Sequence, residues 1–183
     1  TTPQGIFFKP DGTKMYIIGA DGQYVSEYNL STAWDVSTAS HSQNFNVSAQ
    51  DTYPTNVFFK PDGTKMYIVG NTGADVNEYN LSTAWDISTA VYSQNFSVSA
   101  QEAGVRGIFF KPDGTKMYIV GSAGDDVNEY DLGTINYTTS ETWVSATTNT
   151  ELAALQEALT EISLNRMDKT QLEAVTDPNH YTL

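Results

Sequence analysis

Short apolar runs broken by turn residues set the rhythm of this chain. Residues 5–10 read GIFFKP, aromatic and nearly all apolar, and residues 14–19 read KMYIIG. Residues 24–30, YVSEYNL, alternate apolar with polar, and residues 40–49 read SHSQNFNVSA. Runs of this length bounded by turn signals are strands rather than helices. Between the first two, Pro10 presets one turn dihedral and Gly12 supplies a positive φ, so the turn has a mechanism. The pattern predicts four strands, a Gly/Asp loop at 20–23 and a polar loop, STAWDVSTA, at 31–39. The first strand is expected to be buried on both faces.

The pattern then repeats. FFKPDGTKMY occupies 7–16, 58–67 and 109–118, a shift of 51 residues each time. Across 6–50 and 57–101, 34 of 45 positions are identical. A third copy holds to about Leu132, then replaces the STAWD stretch with INYTTSETWVSA, as a terminal, capping unit would. Four short strands every 50 residues or so predict all-β architecture in the form of propeller blades. The expected organisation is blade 1 at 1–50, blade 2 at 51–101, a divergent blade 3 at 102–147 and a helical segment at 148–183.

FFKPDGTKMYIVG followed by VNEYNLSTAWD resembles propeller repeats with a PDG turn, as in YVTN and lactonase-like propellers. The near-identical tandem copies with STAWD resemble repeats of phage tail-fibre and bacterial surface proteins. The likeness covers about residues 5–146. It implies a propeller fold and carries no catalytic residue over. Three blades are too few to close a ring, since propellers have four to eight. Further blades of a longer chain, or identical chains as a homo-oligomer, are expected to complete it. The absence of an initiator Met favours a longer or processed chain.

From Thr148 the period changes. Leu152, Leu155, Leu159 and Ile162 fall at a/d spacing, and Thr148 with Glu151 can form a capping box. This segment is expected to be helical, either oligomerising or packed on its own last blade.

Composition narrows the partners. With 9 Lys+Arg against 22 Asp+Glu the chain carries a net charge of −13. That disfavours nucleic acid, which needs clustered cations, and anionic membrane surfaces. No apolar run reaches 18 residues, so membrane insertion by a helix is not expected. There is no Cys, which removes disulfides and thiol chemistry.

Differences among the copies locate candidate residues. The segments after the second strand read ADGQY, NTGAD and SAGDD, and the stretches before the first strand read DTYPTN and EAGVRG, whereas PDGTKMY is constant. Antiparallel alternation puts the variable segments on one face and the constant turns on the other. The candidate ligand-binding set is therefore Asp21, Gln23, Tyr24, Tyr53, Asp75, Asn77, Arg106, Asp125 and Asp126. Carboxylates, amides and aromatic rings together suit hydroxyl-rich ligands such as cell-surface glycans.

No catalytic motif is recognisable, and no cofactor or metal is expected. Asp11, Asp62 and Asp113 read as turn residues, and no EF-hand spacing exists. His41 becomes Tyr92 in the next copy, which argues against a shared base. Trp34 and Trp85 are expected to pack against an adjacent blade, and Glu27, Glu78 and Glu129 to lie on a solvated strand face or pair across strands. The sequence reading is a non-enzymatic structural and recognition module of an extracellular or virion assembly, such as a tail fibre. The alternatives are a lactonase- or esterase-like propeller hydrolase with a central-channel site, and a purely architectural spacer.

Overall fold

The computed structural model describes residues 2–124 and 126–133. The segment at 148–183, its expected helix, and the last part of the third repeat lie outside the described residues.

Within them the chain is all-β. The first sheet contains β1 (Pro3–Phe8), β2 (Lys14–Gly19), β3 (Tyr24–Leu30) and β4 (Ala39–Asn46). The second contains β5 (Pro54–Phe59), β6 (Lys65–Gly70), β7 (Asp75–Leu81) and β8 (Ala90–Ser97). The third contains β9 (Val105–Phe110), β10 (Lys116–Gly121) and β11 (Val127–Asp131). Each is an antiparallel meander in sequence order. The polar loops contain one-turn 3-10 helices at Val36–Thr38 and Ile87–Thr89, capped by Asp35 and Asp86.

The Pro-Asp-Gly turns recur in the same form. Gly12, Gly63 and Gly114 have φ of 73°, 74° and 71°. Asp11, Asp62 and Asp113 each accept from the N–H two residues on, at 2.9 Å. Lys9, Lys60 and Lys111 close the same turns as ion pairs of 2.6–2.7 Å. Lysine and threonine together hold the Asp11 and Asp113 carboxyls far below the ordinary range.

Alternation along each strand gives every sheet two apolar faces, and these meet in two junctions. The first junction buries Tyr16, Ile18 and Val25 of the first sheet against Val57, Phe59, Met66, Ile68, Tyr79 and Leu81 of the second. The second buries Val69 and Val76 against Val105, Ile108, Met117 and Ile119 of the third. Aromatic rings line both: Phe7 lies 5.3 Å from Phe58 and Phe59, and Phe58 lies 5.3 Å from Phe110. The first strand is not sealed on both faces everywhere: Ile6 and Phe109 are exposed, because no sheet among the described residues covers them.

Candidate functional site

Two polar networks hold the sheets: the first contains the cross-strand pairing expected of Glu27, Glu78 and Glu129, and the second has no counterpart in the sequence reading. Glu27 is not on a solvated face. It is buried, takes the Lys14 ammonium from β2, and accepts from Gln43 Nε2 of β4 at 3.0 Å. The same Gln43 amide donates to Asp86 Oδ1 of the second sheet at 2.9 Å. A buried carboxylate must be paired and hydrogen-bonded to be tolerated, and here the next repeat completes the set. Lys65 with Glu78 at 2.5 Å, and Lys116 with Glu129, repeat the cross-strand pair.

The second network sits at the opposite end. Asp51, in the link between sheets, accepts from the Tyr53 N–H at 2.6 Å and the Gly73 N–H at 3.3 Å. One repeat later Glu102 accepts from Gly104, Ala123 and Gly124 at 2.6, 3.0 and 3.1 Å. Both acids are buried. Each clamps the loop between the second and third strands of the sheet that follows it. Gly70 and Gly121 lie so close to these carboxylates that a Cβ would collide with them. Burial pushes the Glu102 pKa up, but the three N–H donors and Arg106 outweigh it and hold the group below its usual value. The recurrence of an acid at 51 and 102 was the available signal.

The variable-segment candidates divide into two groups. Asp75 and Asn77 are not surface residues: they are buried on the junction face of β7, with Asp75 accepting from Asn77 and Asn95 at 2.7 Å each. The physical reason is alternation, since 75 and 77 share a face with the buried Tyr79 and Leu81. Asp126, by contrast, is exposed and accepts from Asn128 at 2.8 Å. Asp21 is exposed and accepts from the Thr2 N–H at 3.0 Å. Gln23 has a φ of 56° and donates to the Thr52 carbonyl at 3.2 Å, next to Tyr53. Tyr24, Tyr53 and Arg106 are exposed. Asp125 lies outside the described residues.

The first strands lie side by side, β1 against β5 and β5 against β9. Asn56 stands between two glycines at their closest approach. A Cβ on Gly5 would come within 2.8 Å of the Asn56 Cα, and one on Gly107 within 3.6 Å of its Nδ2. Thr55 Oγ1 donates to the Val105 carbonyl of β9 at 3.0 Å. Arg106 follows, exposed. Asn56 and Arg106 thus lie near the starts of neighbouring first strands, while the Thr55 hydroxyl is buried and used on the backbone.

A cleft of about 250 Å³ opens between the second and third sheets, lined by Tyr67, Glu78, Gln94, Phe96 and Phe110 among others. At the preceding junction the matching Glu27 and Gln43 are joined to Asp86, with Ile87 buried beside them. Glu78 is held in its ion pair with Lys65 at the wall of this cleft. Among the described residues no group of three or more His, Asp or Glu side chains is placed to hold a metal ion. No helix there is long and apolar enough to cross a membrane.

The tryptophans differ from each other. Trp85 stacks on Phe7 of the preceding sheet at 6.2 Å and on Phe59 at 5.6 Å. Trp34 stacks on Phe8 of its own sheet at 5.3 Å and is otherwise exposed. Each ring also covers the turn glycine of its own sheet, Gly63 and Gly12.

No family model and no curated protein matches the chain. Solved structures do. A candidate 6-phosphogluconolactonase from Bacteroides uniformis superposes with a TM-score of 0.55 at 17% identity, over 73% of this chain and 38% of its own. A second, from Bacteroides fragilis, gives 0.55 at 14% over 70% and 34%. The periplasmic gluconolactonase of Pseudomonas aeruginosa gives 0.52 at 13% over 70% and 35%. The fold is thus β-propeller-like, and the chain spans little more than a third of these proteins' length. At such identities the likeness is one of fold. It corrects the expectation of a non-enzymatic virion, tail-fibre or adhesion module. These folds carry lactonase names, which is the alternative stated above.

Proposed function

We propose that the three sheets are blades of a lactonase-type propeller hydrolase, with blades at 1–50, 51–101 and 102–147. The repeat with its PDG turn is read as of the YVTN and lactonase-like kind. The site is placed in the central channel, at the end of the first strands. The observation that carries the reading is the superposition on three propellers with lactonase names. The polar end of β5 and β9, with Asn56 and Arg106, supports the location.

Lactone hydrolysis adds water to the ring carbonyl, collapses the tetrahedral oxyanion, breaks the ring C–O bond and leaves a hydroxy acid. A guanidinium and an amide N–H aimed at the developing oxyanion lower that barrier. Arg106 and Asn56 are assigned this role.

The test is the opening of δ-gluconolactone and its 6-phosphate in a pH-stat, with and without added divalent metal. A rate above spontaneous opening that scales with protein and falls at least tenfold in Arg106→Ala is expected. No rate above background at any protein concentration overturns the reading.

A further inference from the structure

Lys14, Glu27 and Asn29 meet on the face of the first sheet that packs against the second. Lys14 of β2 stands directly opposite Asn29 of β3, and Tyr16 stands opposite Glu27. Residues two apart on a strand share a face, so the carboxyl and the amide lie on the same side. The Lys14 Nζ donates to Glu27 Oε1 and to Asn29 Oδ1, the latter at 3.1 Å. The amine is thus held one bond from the amide carbon of Asn29. The arrangement belongs to the repeat. Lys65 Nζ reaches Glu78 at 2.5 Å and Asn80 at 2.9 Å. Lys116 Nζ reaches Glu129 and, at 2.9 Å, Asp131 in place of the asparagine.

Burial gives the three groups of the first junction different tasks. The Glu27 side chain is 1% exposed and that of Lys14 is 26% exposed. Tyr16, opposite Glu27, is fully buried. Enclosure disfavours both charged forms, so it favours passing the proton from the ammonium to the carboxylate. Lysine is then a neutral amine, which is its nucleophilic form. Asn29 is exposed, so a small leaving group has a way out to solvent.

We propose that Lys14 and Asn29 become the two ends of an amide cross-link between β2 and β3, formed by the chain itself with Glu27 as proton carrier. Glu27 takes one proton from the Lys14 ammonium. The amine lone pair attacks Asn29 Cγ, and the Nζ–Cγ bond forms. A second Nζ proton passes by way of the Glu27 carboxyl to Nδ2. The Cγ–Nδ2 bond then breaks, and ammonia leaves and takes up the proton that Glu27 still holds. One ammonium and one primary amide become one secondary amide and one ammonium ion, with nothing oxidised or reduced. The link closes the base of the hairpin that carries the variable turn at 20–23. It is independent of the hydrolase reading: it needs no substrate, and mass rather than turnover reads it.

The experiment is the intact mass of the purified full chain under denaturing conditions, followed by chymotryptic peptide mapping. A mass below the sequence value by at least one ammonia, about 17 Da, is expected, together with a branched peptide that joins Lys14 to Asn29. Lys14→Arg and Glu27→Gln should each abolish that peptide. Asn29→Asp should keep the cross-link but shed water, about 18 Da, in place of ammonia. Asp131 beside Lys116 shows that this position accepts the carboxylate. If Glu27→Gln fails to fold, Lys14→Arg and Asn29→Asp carry the test. An unmodified Lys14 in the wild-type chain overturns the proposal. So does ammonia lost from a linear peptide at Asn29 alone, or a branched peptide that survives Glu27→Gln.

Discussion

The Tyr16 hydroxyl reaches across the first junction to the Trp85 backbone carbonyl at 2.7 Å. Both ends of that bond are fixed by packing. Tyr16 is fully buried with its ring 4.3 Å from Phe59, and Trp85 holds a φ of 65° over its own turn. Burial raises the tyrosine pKa well above its ordinary value, so it stays a donor across the whole working range. Tyr16→Phe leaves a carbonyl without its partner and should cost roughly 1–3 kcal/mol in urea unfolding. The volume is nearly unchanged, so a much larger loss would show that the ring itself had moved.

Gly63 and Gly114 separate two effects of one substitution. Both hold positive φ, but the Trp85 ring lies against Gly63 while Gly114 meets nothing within 4 Å among the described residues. Gly114→Ala should cost only the left-handed conformation, about 1–2 kcal/mol. Gly63→Ala should cost more, because the ring must also shift, and the Trp fluorescence should change with it. Equal losses and an unchanged spectrum would contradict the ring contact.

Gln43 joins Glu27 to Asp86, whereas its match Gln94 faces the cleft. Gln43→Ala should destabilise by about 1–3 kcal/mol, since a buried carboxylate loses a donor. Gln94→Ala should change stability by less than about 0.5 kcal/mol, the usual range for a surface change. A double-mutant cycle of Gln43→Ala with Asp86→Ala should show coupling across the junction. Additive losses would mean that the bridge is not formed in solution.

Glu102 makes stability depend on acid in a predictable direction. Its folded pKa lies below its unfolded one, so the stabilisation is present above the unfolded value and is lost as pH falls through the folded one. Glu102→Gln should therefore lower the Tm at pH 7, and the difference from wild type should shrink as the pH drops below about 4. A gap that stays constant from pH 7 to pH 3 would show that the clamp does not depend on the carboxylate charge.

Much of the architecture was legible because it is written locally. The Pro-Asp-Gly turns, the bounds of β2 and β3 and the 51-residue period all follow from residues a few positions apart. The junction partners were not, because Glu27 and Gln43 find Asp86 only in the following repeat. Asp75 and Asn77 were placed at the surface because the loop before them varies. Their alternation with Tyr79 and Leu81 would have placed them inside. Activity was the least legible: the repeated residues serve the turns and junctions, so they carry little chemistry of their own.

The near-identity of the first two sheets also bears on how the molecule reaches its fold. β2 reads KMYIIG and β6 reads KMYIVG, and each pairs with strands that the other could accept almost as well. A nascent or refolding chain can therefore assemble one repeat out of step at little local cost. Slow, concentration-dependent rearrangement and exchanged strands between molecules are the natural hazards of such a sequence.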